Sequence, residues 1–183
     1  MNMSQGIFFI KENIRFLRQG ILLLERLDEK IYCASVPPFF MVGIGKHFRH
    51  IMDHYSCLLG GLQGTVNYNQ RQRELILEQN PEQGRKKLNE LITRLEEIAE
   101  LPGIFQRDLK IICEDHPGSE GDPPSNLTRE LQYLVSHTVH HYALIAMMLK
   151  IQGVMVDPEF GVASSTLRYL RNESLKTELS TVL

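Results

Sequence analysis

Residues 131–149 read LQYLVSHTVHHYALIAMML, a run of 19 positions without a formal charge. A run of that length can span a bilayer, but its centre carries Ser136, His137, Thr138, His140 and His141. Polar groups at that depth are costly in lipid, whereas neighbouring helices in a protein interior can give each a partner. The run therefore predicts the central helix of a soluble bundle, without a membrane.

The remaining sequence supplies helices to enclose it. From Ile7 to about Cys33, apolar residues recur every three or four positions: Ile10, Ile14, Leu17, Ile21, Leu24, Leu27 and Ile31. Pro37 and Pro38 stop that helix. A second helix is expected from about Ile44 to Leu59, closed by Gly60 and Gly61. A polar connection follows, in which Arg71 and Arg73 are expected to be solvated. The third helix runs from about Pro81 to Glu100 with its stripe at Leu88, Leu91, Ile92, Leu95 and Ile98. IFQRDLKIICED reads as a short strand or hairpin arm, and HPGSEGDPPSN, with His116, as an exposed loop. Ser125 or Asn126 can cap the fourth helix, about 127–152, and SSTLRYLRNESL adds a short one. Four long helices without strand–helix alternation predict an all-α, four-helix bundle, one domain across residues 1–183.

Bulk properties narrow the function. A net charge of -2 gives no basic surplus for a phosphate backbone, which excludes nucleic acid as the first expectation. Cys33, Cys57 and Cys113 are far apart with no CxxC pair, which argues against a disulfide framework and a cysteine zinc knuckle. The first residues lack a basic stretch followed by an apolar one, so no signal peptide is expected, and a reducing cytoplasm fits best.

The chain has 7 histidines, and all but His116 fall in two short windows: KHFRHIMDHY, with His47, His50 and His54, and SHTVHHY, with His137, His140 and His141. At about 100° per residue, the first three share one helix face. His137 and His141 lie about 40° apart, with Leu144 and Met148 continuing their stripe inward. A lone inward histidine is usually a core residue bonded to a carbonyl. Two facing clusters with an H-x-x-x-H pair are harder to satisfy that way, since each unpartnered buried ring costs about 1–3 kcal/mol. Converging neutral imidazoles can instead hold a divalent metal such as zinc, nickel or iron and leave positions open for water or substrate. Around them, His140 is set to support a ligand or pack on a helix. Asp53 can orient a ring or form a surface salt bridge. Glu130 can be a ligand, a general base or an acid favoured by the helix N-terminus. Cys57 reads as a small core residue.

IGKHFRHIMDHY and LVSHTVHHYALIAMML resemble the DinB-like (DinB/YfiT-like) superfamily of metal-dependent enzymes, and the tail FGVASSTLRYL resembles a subgroup of it. The resemblance covers essentially the whole chain. It implies a four-helix bundle, often a homodimer, with one metal held by His50, His137 and His141. His50 is the match because it directly precedes Ile51, as in the family's His-apolar pattern, with His47 and His54 as the alternatives one turn away. Relatives of this fold use low-molecular-weight thiols, which implies a small-molecule substrate; the leading expectation is a transferase or hydrolase in which the metal makes a thiol or water nucleophilic and Glu130 or a spare histidine serves as base. Two other functions compete: a non-catalytic metal-binding or stress-response module, and a haemerythrin-like iron carrier. The latter needs bridging carboxylates, where this chain has His50-x-x-x-His54.

Overall fold

The computed structural model describes residues 3–112 and 124–181, with side chains to residue 173. Cys113 and the loop bearing His116 lie outside the described residues. The fold is mostly helical with a small three-stranded sheet. Four long helices carry the core: α1 (Met3–Leu24), α3 (Ile44–Gly60), α5 (Pro81–Ala99) and α6 (Leu127–Ile151). α1 packs against α5 and α6, and α3 packs against the same two. Asn80 caps α5 by accepting from the Gln83 amide, and Asn126 caps α6 by accepting from the Arg129 amide. Among the described residues, no helix is long and apolar enough to cross a membrane.

The first helix is shorter than its periodicity predicts. It ends at Leu24, and a separate turn of helix, α2 (Glu29–Cys33), starts where the Asp28 carboxylate accepts from the Ile31 amide. The cap outcompetes continuation because Asp is a better N-cap than helix-interior residue. The apolar pattern survives the break because Leu27 still faces the core.

The polar connection after α3 is also more structured than expected. It forms β1 (Thr65–Asn67) and α4 (Ile76–Gln79). β1 pairs in parallel with β2 (Asp108–Ile112), which pairs antiparallel with β3 (Pro124–Asn126). Two close approaches make this route feasible. A Cβ on Gly61 would stand 2.5 Å from the Thr65 carbonyl oxygen, and one on Gly45 would stand 2.0 Å from that of Glu78. Only glycine lets β1 and α4 lie so near α3.

Burial of Phe48, Ile51, Met52 and Leu58 on α3 is complete, and each such side chain contributes about 1.5–3 kcal/mol. Among the described residues, the buried Asn13, Arg49, Asp53, Glu130 and Thr138 side chains are paired, whereas Thr128 Oγ1 is not. Arg49 bonds Asp53 and, at 2.5 Å, Glu78, tying α4 to α3. Asp53 is thus half of a buried ion pair, neither a ring-orienting group nor a surface bridge. Tyr55 donates to Asn13 Oδ1 at 2.6 Å and lies 3.2 Å from the Thr138 hydroxyl, while Asn13 Nδ2 donates to the Leu131 carbonyl at 3.0 Å. This network joins α1, α3 and α6 immediately beneath the histidines. Tyr55→Phe leaves Asn13 and Thr138 short of a partner, so it should cost about 1–3 kcal/mol. A lowered urea midpoint is the expected reading, and an unchanged one would show that the network adds nothing.

Candidate metal centre

α3 and α6 bring the two histidine windows face to face. His50 Nε2 lies 3.2 Å from His137 Nε2. Ring centroids of His54 lie 4.4 Å from His50 and 4.2 Å from His137, and one nitrogen from each of these three falls within 4.8 Å of the others. His141 stands on the other side of the same pair, 4.7 Å from His50 and 4.6 Å from His137 between centroids. Its Nδ1 faces His47 Nδ1 at 3.0 Å. His140 is exposed and touches only the edge of the cluster, 5.0 Å from His141. Of the residues expected to ligate, His50 and His137 therefore meet directly, His141 flanks them, and His54 approaches as closely.

The geometry fits a cation. Two imidazole nitrogens bound at 2.0–2.1 Å to a tetrahedral ion stand about 3.3–3.4 Å apart, close to the 3.2 Å between His50 and His137. His54 Nδ1 lies 2.9 Å from the His50 carbonyl, which can only accept. Its proton therefore sits on Nδ1, and Nε2 keeps the lone pair that a metal requires. His47 Nε2 and His137 Nδ1 are buried without a hydrogen-bond partner, so the protein alone does not satisfy the cluster.

Electrostatics keep the rings neutral. Burial, then the neighbouring His54, pushes His137 down to about 2 and His50 down to about 3. Burial, then His47, pushes His141 down to about 4, and burial lowers His47 as well. Neutral imidazole is the metal-binding form.

Aromatic rings wall the cluster. Tyr68 stacks on His54 at 5.4 Å and Tyr133 on His137 at 5.5 Å. The Tyr68 hydroxyl donates to Glu130 at 2.8 Å, and the Ser125 hydroxyl donates to the same carboxylate at 2.5 Å. Burial and Glu130 hold the Tyr68 phenol well above its usual range. Glu130 thus sits in the first turn of α6 but is buried, and it reaches His54 through Tyr68. Arg71, expected to be solvated, is half-buried with Nη1 3.4 Å from His50 Nδ1, whereas Arg73 is exposed. Cys57 is partly buried on the side of α3 that faces Gln70. The sequence reading missed Tyr68 and Tyr133, and it named Arg71 only as a solvated residue or, with Arg73, an anion contact, not as a neighbour of His50. Tyr133 was accessible to it, four residues before His137 and so on the same face. Tyr68 and Arg71 were not, because only the return of β1 over α3 delivers them.

No protein-family model matches the chain. Among curated proteins, it is similar to FK506-binding protein 5 of Rhizopus delemar, at 25% identity over 109 residues. That stretch covers 60% of this chain and 28% of the relative, so the chain spans less than a third of the length of the protein it matches. A likeness of that extent assigns no family.

The lowered histidine values carry a sign. Unfolded rings protonate near 6.5, whereas the folded rings resist protonation down to about 4 for His141 and lower for His50 and His137. Between those limits the unfolded state binds more protons, so metal-free protein should lose stability as pH falls below 6.5. Urea unfolding of chelator-treated protein across that window tests this. The pH slope should be shallower in the double variant His50→Asn, His137→Asn, and an equal slope would exclude these rings as its source.

Proposed function

We infer that this chain is a metal-dependent enzyme of the DinB-like kind. In this reading its four long helices form the family's bundle, and a divalent cation (zinc, nickel or iron) sits on His50 and His137. The observation that carries it is the 3.2 Å approach of their Nε2 atoms across two helices, at the spacing that one ion imposes on two ligands. Donor-atom proximity supports His54 as the third ligand. The resemblance supports His141, whose ring flanks the same pair.

A bound cation supplies Lewis acidity, which lowers the pKa of a thiol or water in contact with it and suits a transferase or hydrolase acting on a small molecule. The protein's own groups hold the site in shape. The His50 carbonyl fixes the tautomer of His54, while Tyr68 and Tyr133 pack against the His54 and His137 rings. Glu130 is a positioning residue here: it anchors the Tyr68 hydroxyl and acts on the histidines through that ring. Low-molecular-weight thiols are the substrate class this reading favours, in a cytoplasmic homodimer.

Metal analysis by mass spectrometry of protein purified without chelator tests the proposal. About one divalent ion per chain is expected, lost in His50→Ala and in His137→Ala. Comparing His54→Ala with His141→Ala then identifies the third ligand, since only the true ligand's removal should weaken retention strongly. No ion, even after reconstitution with zinc, nickel and iron, would leave the histidines as core residues and end the enzyme reading.

A further inference from the structure

Half of the clustered histidines stand outside the tight group. Among the described residues, His50, His54 and His137 are the set of three whose nitrogens come within 4.8 Å of one another. His47, His140 and His141 lie beside them, about one turn nearer the N-terminus of α3 and the C-terminus of α6. His141 joins the two sets. Its ring adjoins those of His50 and His137 at 4.7 and 4.6 Å, and those of His140 and His47 at 5.0 and 5.3 Å. His140 is exposed, His47, His50, His137 and His141 are half-buried, and His54 is buried. Imidazoles thus form an unbroken file from solvent to the innermost ring. Stripping a dication of its water in one step is costly, and such a file lets ring nitrogens replace the waters one at a time.

The outer set is built to hold an ion weakly. His47 and His141 present their Nδ1 atoms 3.0 Å apart, closer than the roughly 3.3–3.4 Å that one tetrahedral ion sets between two imidazole nitrogens. That distance suits an N–H···N hydrogen bond, which an ion must displace. Both rings then carry their proton on Nε2, and Nε2 of His47 is buried without a hydrogen-bond partner. The third ring, His140, is exposed, so ordering it costs side-chain entropy. The two sets also exclude one another. Dications ~5 Å apart, the separation of adjoining rings, repel enough to weaken the second by about 100-fold or more even in the dielectric of water.

We propose that His47, His140 and His141 form a second, transient cation site, which captures a divalent transition metal at the surface and passes it to the inner histidines. The two sets are filled in turn. This rests on the metal reading above and adds how the centre is loaded. His140 takes no part in holding the resting ion: it lowers the barrier to entry and, by microscopic reversibility, to exit.

The test mixes full-length, metal-free protein with cobalt(II), a spectroscopic substitute for zinc, and follows the cobalt absorption bands by stopped flow. Release is followed into excess chelator. His140→Ala, a surface change, should slow uptake and release alike by about 10-fold, with equilibrium cobalt affinity and the helical signal at wild-type values. His140→Asp, which returns a metal-binding side chain to the surface, should recover much of the rate. Wild-type rates in His140→Ala overturn the proposal. So does faster release with weakened equilibrium binding, which makes His140 a ligand of the resting ion. Failure of the wild type to take up cobalt at all is a separate result: it removes the metal reading, and this inference with it.

Discussion

The contact between α3 and α6 is polar at its centre, and the rest of the structure is arranged around that fact. Helices that meet through apolar side chains can slide and still bury their surface. Helices that meet through imidazoles cannot, because each ring needs specific partners for two nitrogens. The Asn13–Tyr55–Thr138 network beneath the rings sets the register of α1, α3 and α6, and so determines which histidines face one another. The 3.2 Å approach of His50 to His137 follows from that register.

The excursion between α3 and α5 has a different physical basis. Nothing in its composition demands order, yet three constraints impose it. β1 pairs with a distant strand, glycines at 45 and 61 admit backbone where a side chain would clash, and the buried Arg49 holds Glu78 on α4. Removing one partner from a buried ion pair leaves a charge stranded, so Arg49 resists loss more than it adds net stability. What the excursion delivers is the outer wall of the centre: Tyr68 over His54, Glu130 engaged through Tyr68, and Arg71 beside His50.

Burial and chemistry are linked at the same rings. Enclosing several imidazoles together disfavours their protonation, first through desolvation and then through mutual repulsion. The metal-free fold thereby carries neutral rings with unsatisfied nitrogens at His47 and His137. Such nitrogens are a liability in a protein core, whereas the atom that faces His50 across the two helices is the other nitrogen of His137, Nε2.

The sequence alone determined the long helices and the two histidine faces. Periodicity and terminal signals are local properties, so α3, α5 and α6 lie within about a turn of where those signals put them. His50, His137 and His141 were likewise legible as inward-facing, because spacing converts directly into azimuth. The break at Leu24 was not, since a cap at Asp28 and an unbroken apolar stripe compete, and tertiary packing accepts both. Which histidines meet, how close His54 stands to them, the engagement of Asp53 with Arg49, and the presence of Arg71 at the centre were decided only by the tertiary structure. Each depends on the rotation of one helix against another or on a strand pairing across some forty residues, and neither quantity is encoded in any short stretch of chain.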